Sequence, residues 1–247
     1  MIADQTGETT QELAIVTGGA RRLGREIVLG LAKRGYAIGL HYHHSAREAL
    51  TLAEELESQG TAVLLMQADL RSPAAIRRMF KKVEESGFVL KVLINSAAKM
   101  EHKPLMGIST REWDDLFALN LRAVWLCSIQ AAKLMKAGGV IINISDVGAQ
   151  RAWAGFGAYS ITKSALNSLT KILAQSLAPD IRVNAVAPGL VMPSEKMSSE
   201  DWKKLVNKTP LHRPVDTEAI LKMIGFLLDN AYITGEVVNV DGGRHLV

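Results

Sequence analysis

The sequence predicts an α/β protein: a doubly wound parallel sheet of about seven strands in a single domain. Three observations carry this expectation. Strand-like and helix-like segments alternate from Leu13 to the end of the chain. The first strand runs directly into a glycine turn and an amphipathic helix. The polar residues that suit chemistry fall just after strands, where parallel sheets bind their ligands.

Each element has its own signal. Leu13–Val16 is apolar or small and β-prone, and Thr17-Gly18-Gly19 breaks it. A helix follows from near Arg22, with Ile27, Val28, Leu31 and Ala32 at helical spacing. Tyr36–His41 reads as the second strand and Arg47–Gln59 as a helix. Thr61–Gln67 is the third strand, and Pro73–Glu85 a helix with proline in its first turn. Val92–Asn95, Val140–Ile144, Ile181–Ala187 and Val237–Val240 complete the strands. Helices are expected around Trp113–Lys136, Ala158–Ala178 and Thr217–Asp229. Residues 190–210 show no fixed pattern beyond Pro193 and Pro210 and are read as a substrate loop.

Composition bounds the function. At 247 residues, with 48% hydrophobic and 5% aromatic content, the chain buries a large core without covalent staples. Cys127 is the one cysteine, so no intrachain disulfide forms. Residues 1–11 are polar and lack a signal-peptide pattern. They are expected to be a mobile tail ahead of a domain over 12–247. No apolar run approaches the roughly 20 residues of a membrane span, so a cytoplasmic protein with no membrane association is expected. The net charge of +4 is spread along the chain and points to no nucleic-acid partner, while leaving room for a local anionic ligand.

The turn after the first strand is the first candidate site. A helix N-terminus aimed out of a strand-end crevice favours phosphate, through its free N–H groups and its dipole. Glycine there permits close backbone approach. At the second strand end, Leu40-His-Tyr-His-His-Ser-Ala-Arg47 has no acid to meet a ribose 2′-hydroxyl. His43, His44, Ser45 and Arg47 are donors or potential cations, joined by Arg21 and Arg22 from the first turn. This set suits a 2′-phosphate, hence NADPH. A metal site at His41, His43 and His44 is not expected, because no carboxylate or cysteine lies close by to complete a shell. Asp69 either accepts from an adenine amino group or caps the next helix, a role for which Ser72 competes. Asn95-Ser-Ala-Ala98 offers small residues past which a flat cofactor can lie.

The fifth strand ends in Asn143-Ile-Ser-Asp146, and 13 residues later comes Tyr159-Ser-Ile-Thr-Lys163. Tyr and Lys at i and i+4 share a helix face. A lysine cation near a phenol favours phenolate and lowers the tyrosine pKa, which would make Tyr159 a general acid near neutral pH.

Together these motifs resemble the short-chain dehydrogenase/reductase family from Leu13 to Gly243, which implies a Rossmann-type fold. The resemblance rests on Thr17-Gly18-x-x-x-x-x-Gly24, Asn95-Ser-Ala-Ala98, Asn120, Tyr159-x-x-x-Lys163, Asn184, Pro188-Gly189 and Asp241-Gly242-Gly243. Arg22 stands where the common turn has a glycine, and Asp146 where the common catalytic residue is serine. With Leu40-His-Tyr-His-x-Ser45, these features are similar to the pteridine reductase branch. The resemblance implies NADPH held by Gly18, Arg22, Leu23, Gly24, His43, His44, Ser45, Asp69, Leu70, Asn95, Ser96, Ala97, Tyr159, Lys163, Pro188 and Gly189. It implies proton donation by Tyr159, assisted by Asp146, with Lys163 tuning the phenol and Asn120 holding the helix and a water relay. The substrate would be a pterin of the biopterin, dihydrobiopterin or dihydrofolate type, touching Met100, Asp146 and Tyr159. Trp153 and Phe156 either wall the site or simply pack their loop. A 3-oxoacyl-thioester reductase is the alternative, and a non-catalytic NADPH sensor a further one.

Assembly is also readable. Leu116–Met135 is apolar on nearly every face, and Leu166, Leu169, Ile172 and Leu173 form a second stripe. A homotetramer joined through these helices is expected.

Overall fold

In a computed structural model, described over residues 2–3, 9–151, 153–194 and 197–247, seven parallel strands form one sheet. They are β1 (Glu12–Thr17), β2 (Ala37–Tyr42), β3 (Val63–Gln67), β4 (Val89–Asn95), β5 (Gly139–Ile144), β6 (Ile181–Pro188) and β7 (Val237–Val240). Their order is β3-β2-β1-β4-β5-β6-β7. The chain winds one way from β1 to β3 and the other way from β4 to β7. The sheet therefore has a switch point between β1 and β4, where a crevice opens beyond the strand ends. The tail expected over 1–11 lies partly outside the described residues; Ile2–Ala3 and Thr9–Thr10 pair as short antiparallel strands.

The pleat splits β1 between two cores. Leu13 and Ile15 join Phe80, Leu93, Cys127 and Leu173 on one face. Ala14 and Val16 join Ile27, Leu52, Val92 and Ile224 on the other. Successive strand side chains point to opposite faces, and both faces are covered, so the strand is apolar throughout. Helices α1 (Arg22–Lys33) and α2 (Ala46–Ser58) lie on the second face. Helix α3 (Pro73–Glu84) lies on the first, and the Ser72 hydroxyl caps it by accepting from Ala75 N–H at 3.3 Å.

The helix expected over Trp113–Lys136 is three segments. Helix α4 (Thr110–Phe117) begins at a capping box between Ser109 and Glu112. A π-turn spans Ala118–Arg122, and α5 (Ala123–Leu134) follows. The remaining helices are α6 (Gly157–Leu177), α7 (Ser199–Asn207) and α8 (Thr217–Asp229). Helix α7 corrects the patternless loop over 190–210. Ser198 accepts from Asp201 N–H at 3.1 Å and starts a nine-residue helix there.

The apolar stripes divide between the chain's own core and its surface. Leu116, Val124, Cys127 and Ala131 are buried within the chain itself, and Trp125 is 46% exposed. Leu166 and Leu173 are likewise buried, leaving Ile172 at 60% exposure. Among the described residues, no helix is long and apolar enough to cross a membrane.

Candidate active site

The crevice at the switch point is shaped by the turn after β1. Gly18 sits at φ +66°, and a β-carbon there would come within 2.9 Å of Ala97 Cα. A β-carbon on Gly24 would fall 2.2 Å from the Gly18 carbonyl oxygen. The turn and the start of α1 thus fit only without side chains at these points. Leu23, between them, packs against the core under α1. Thr17 ties the turn to the end of β4: its hydroxyl accepts from Ser96 N–H at 3.0 Å and Ala97 N–H at 3.1 Å.

Arg22 takes φ +52°, a left-handed conformation that costs a non-glycine residue about 1–2 kcal/mol. Its Nη2 donates to the carbonyls of Met192 at 3.2 Å and Pro193 at 3.0 Å. The guanidinium expected at a phosphate is thereby bonded to the segment after β6, joining the glycine turn to the loop over 190–194. Pro188 ends β6, and Gly189 N–H donates to Val240 O at 3.0 Å.

His41, which the sequence offered as part of the Leu40-His-Tyr-His-x-Ser45 stretch and not as a named site residue, lies against the glycine turn. It is 2% exposed. Its Nδ1 accepts from Gly18 N–H at 3.0 Å, its Nε2 donates to Ala68 O at 3.1 Å, and its carbonyl accepts from Gly19 N–H at 3.0 Å. This pattern requires the neutral ring. Burial agrees, pushing the His41 pKa down to about 4. His41 therefore pins the glycine turn to the ends of β2 and β3. An apolar strand interrupted by one histidine was the signal that could have found it.

Beside it, the His43 and His44 ring centroids lie 3.6 Å apart. Ser45 occupies the N-cap of α2 and makes no side-chain capping bond. Asp69 is not the cap of α3, since Ser72 fills that place. Its carboxylate instead pairs with Arg71, with Nε to Oδ1 at 3.0 Å and Nη2 to Oδ2 at 2.9 Å. Hydrogen bonds from Arg71 hold its carboxyl down at about 2, so it remains an acceptor at every ordinary pH. Leu70 next to it is buried.

Asn95 turns its side chain into the sheet and not toward the crevice. Its side chain is buried, with Nδ2 donating to Asn143 Oδ1 at 2.9 Å and Ser128 Oγ at 3.3 Å. A buried amide must be satisfied, and here the sheet interior satisfies it, so only the Asn95 backbone borders the crevice. Asn120, in the π-turn, clamps the next loop: Oδ1 accepts from Lys99 N–H and Nδ2 donates to Lys99 O, both at 2.9 Å. Its Nδ2 also reaches Thr162 Oγ1 at 3.2 Å. The π-turn aims Asn120 at this loop, which carries the half-exposed Met100. The same loop is tied to the segment before α6 by Lys103 N–H to Gly155 O at 2.7 Å.

At the centre, Tyr159 Oη donates to Asp146 Oδ2 at 2.9 Å, and Gly148 N–H donates to Asp146 Oδ1 at 2.6 Å. Burial raises the Asp146 pKa from its ordinary value, against the Gly148 N–H bond and the Lys163 charge, which lower it. Burial and the Asp146 charge together raise Tyr159 well above 10.0. This reverses the sequence expectation of a phenol lowered by lysine. Lys163 is buried, and its Nζ donates to Ile144 O at 2.7 Å, 5.8 Å from the Tyr159 ring centroid. One ammonium proton thus goes to a backbone carbonyl while the charge stays near the ring, and the group bonded to the phenol itself is the Asp146 carboxyl. The arrangement holds a protonated phenol, able to donate, next to a carboxyl group.

The sequence model of a family described as enoyl-(acyl carrier protein) reductase matches residues 18–245. The chain is 33% identical to a 3-oxoacyl-[acyl-carrier-protein] reductase of Staphylococcus aureus, covering 94% of this chain and 98% of that protein. Among solved structures it is similar to FolM alternative dihydrofolate reductase 1 of Brucella canis complexed with NADP. That likeness has a TM-score of 0.90 and 32% identity, and covers 96% of this chain and 94% of that one. A short-chain dehydrogenase/reductase of Serratia marcescens is also 32% identical with a TM-score of 0.90, covering 96% of this chain and 98% of that one. From the seven-stranded sheet, the glycine turn, the Tyr159–Lys163 pair and these matches, the chain belongs to the short-chain dehydrogenase/reductase family of oxidoreductases.

Proposed function

We propose that this protein is an NADPH-dependent reductase that acts on the C=N bond of a pterin, with Tyr159 as the proton donor. The observation that carries the reading is the Tyr159–Asp146 hydrogen bond at 2.9 Å. A carboxylate beside the proton donor suits a heterocycle with its own N–H donors. It suits a thioester less well, because a carbonyl oxygen brings lone pairs toward a carboxylate. The likeness to the Brucella dihydrofolate reductase supports the same side.

The residues present fit NADPH. Gly18 lies against Ala97 with no room for a side chain, and neither α1 nor α2 has a side-chain capping bond at its N-terminus. In this reading His43, His44 and Ser45 hold the 2′-phosphate, joined by Arg22 through the guanidinium nitrogens other than the Nη2 that Met192 and Pro193 take, and Asp69 and Leu70 border the adenine. Gly18, Gly24 and the backbone of Leu23 face the pyrophosphate. The Asn95–Ala97 backbone, Pro188 and Gly189 flank the nicotinamide, while Tyr159 and Lys163 meet its ribose. Bound there, the cofactor supplies a hydride. Tyr159 Oη gives its proton to the ring nitrogen, so that C=N becomes CH–NH, and the phenolate regains a proton from water. Lys163 stabilises the phenolate by charge. Asp146 orients the phenol and accepts from the pterin edge, and Asn120 fixes the loop that brings Met100 to the substrate.

With no acid between residues 41 and 47, kcat/KM should favour NADPH over NADH at least tenfold, about 1.4 kcal/mol. Equal values for the two cofactors would remove the 2′-phosphate site.

The Staphylococcus relative favours a second reading, reduction of a 3-oxoacyl thioester. Asp146→Ser separates them. It should lower kcat/KM for dihydrobiopterin at least 10²-fold while lowering that for acetoacetyl thioester much less. A uniform loss on both substrates would deny Asp146 its pterin role. We also propose a homotetramer joined through the open faces of α5 and α6, where Trp125 and Ile172 are exposed.

A further inference from the structure

A second cleft, of about 440 Å³, adjoins the Asp146 side of the site. It is lined by Arg151, Trp153, Leu205, Lys208, Arg244 and Val247. The Trp153 ring borders the turn that holds Asp146, since a β-carbon on Gly148 would meet both Asp146 Oδ1 and Trp153 Cζ3 at 2.9 Å. Arg151 Nη1 donates to the Arg244 carbonyl at 3.2 Å, which brings two guanidinium groups to one wall. Arg244 is only 8% exposed. Its Nη1 makes one long bond, to Leu205 O at 3.4 Å, and its buried Nε has no partner. Among the described residues, Arg151, Lys208 and Arg244 form no salt bridge. A buried guanidinium donor left unpaired is costly, and arginine is built to grip carboxylate or phosphate in a planar fork.

We infer that this cleft is a subsite for an anionic side arm of the substrate, with Arg244 as its buried donor, Arg151 and Lys208 as its outer cations and Trp153 as an apolar wall. The inference rests on the placement of the reaction at Asp146 and Tyr159, and it narrows the substrate class. Among pterins it selects those with a carboxylate-bearing arm, as in a folate, over those with a neutral arm, as in a biopterin. The phosphate of a phosphopantetheine thioester would present the same charge.

Calorimetric titration of the full chain, without turnover, tests the subsite separately from the reaction. The probes are p-aminobenzoylglutamate, phosphopantetheine and uncharged p-aminobenzamide. At least one dianion should bind at least tenfold more tightly than the amide, and more weakly as salt rises. Lys208→Glu changes an exposed side chain and should raise that Kd at least tenfold, as should Arg151→Glu. Preference for p-aminobenzoylglutamate assigns a folate arm, and preference for phosphopantetheine assigns a thioester arm. A dianion bound without any pterin reduction would leave the subsite standing and remove the pterin reading. Equal binding of charged and uncharged probes, or variants within twofold of wild type, would overturn the subsite.

Discussion

Tyr159→Phe is expected to lower kcat at least 10²-fold while leaving the Kd for NADPH within about twofold. The substitution keeps the ring and its packing, 5% exposed in the site, and deletes the one hydroxyl bonded to Asp146. Because the phenol is held protonated by burial and by Asp146, it is a donor at neutral pH and no other hydroxyl is bonded to Asp146 among the described residues. Stopped-flow measurement of cofactor oxidation, with fluorescence titration of NADPH, checks both halves. Retention of most of the rate would mean that another group supplies the proton.

Lys163→Met should separate activity from stability. Activity should fall at least 10²-fold, because the phenolate left after proton transfer loses its cation. Stability at pH 7 should rise. Burial holds the Lys163 pKa at about 8, below its ordinary 10.5, so below about pH 8 the folded protein carries a buried ammonium at a penalty of about 3 kcal/mol. Methionine removes that penalty and gives up one hydrogen bond to Ile144 O, worth about 1 kcal/mol. The net gain is about 1–2 kcal/mol at neutral pH, or several degrees in Tm. A group with a depressed folded-state pKa adds stability above its unfolded value and loses it as pH falls through the folded value. The wild type should therefore gain on the variant as pH rises from about 8 to 10.5. Thermal unfolding at pH 7 and pH 10 reads the difference, and a variant less stable than wild type at both would contradict the buried-charge account.

The sheet was legible because its strands are buried on both faces, so Leu13–Val16 and Ile141–Ile142 read as apolar runs whatever surrounds them. The turn at Gly18 and Gly24 was legible because only glycine fits. Other features depend on geometry that a linear pattern does not carry. The π-turn at Ala118–Arg122 changes the helical hydrogen-bond ladder without changing composition, yet it aims Asn120. Spacing put Tyr159 and Lys163 on one face but could not say that the ammonium reaches Ile144 O while the phenol reaches Asp146. Helix α7 did have a signal, the capping pair Ser198 and Asp201 followed by Trp202, Leu205 and Val206. The Arg151–Arg244 contact joins residues 93 apart, and nothing local announces it.

The central claim, a pterin reductase using NADPH, meets its most direct test in steady-state kinetics of the wild-type protein. NADPH oxidation would be followed with dihydrobiopterin, dihydrofolate and acetoacetyl thioester at matched concentrations. The geometry at Asp146 and Tyr159 predicts that at least one pterin is reduced with kcat/KM at least tenfold above the thioester. Turnover of the thioester with no reduction of any pterin would contradict it.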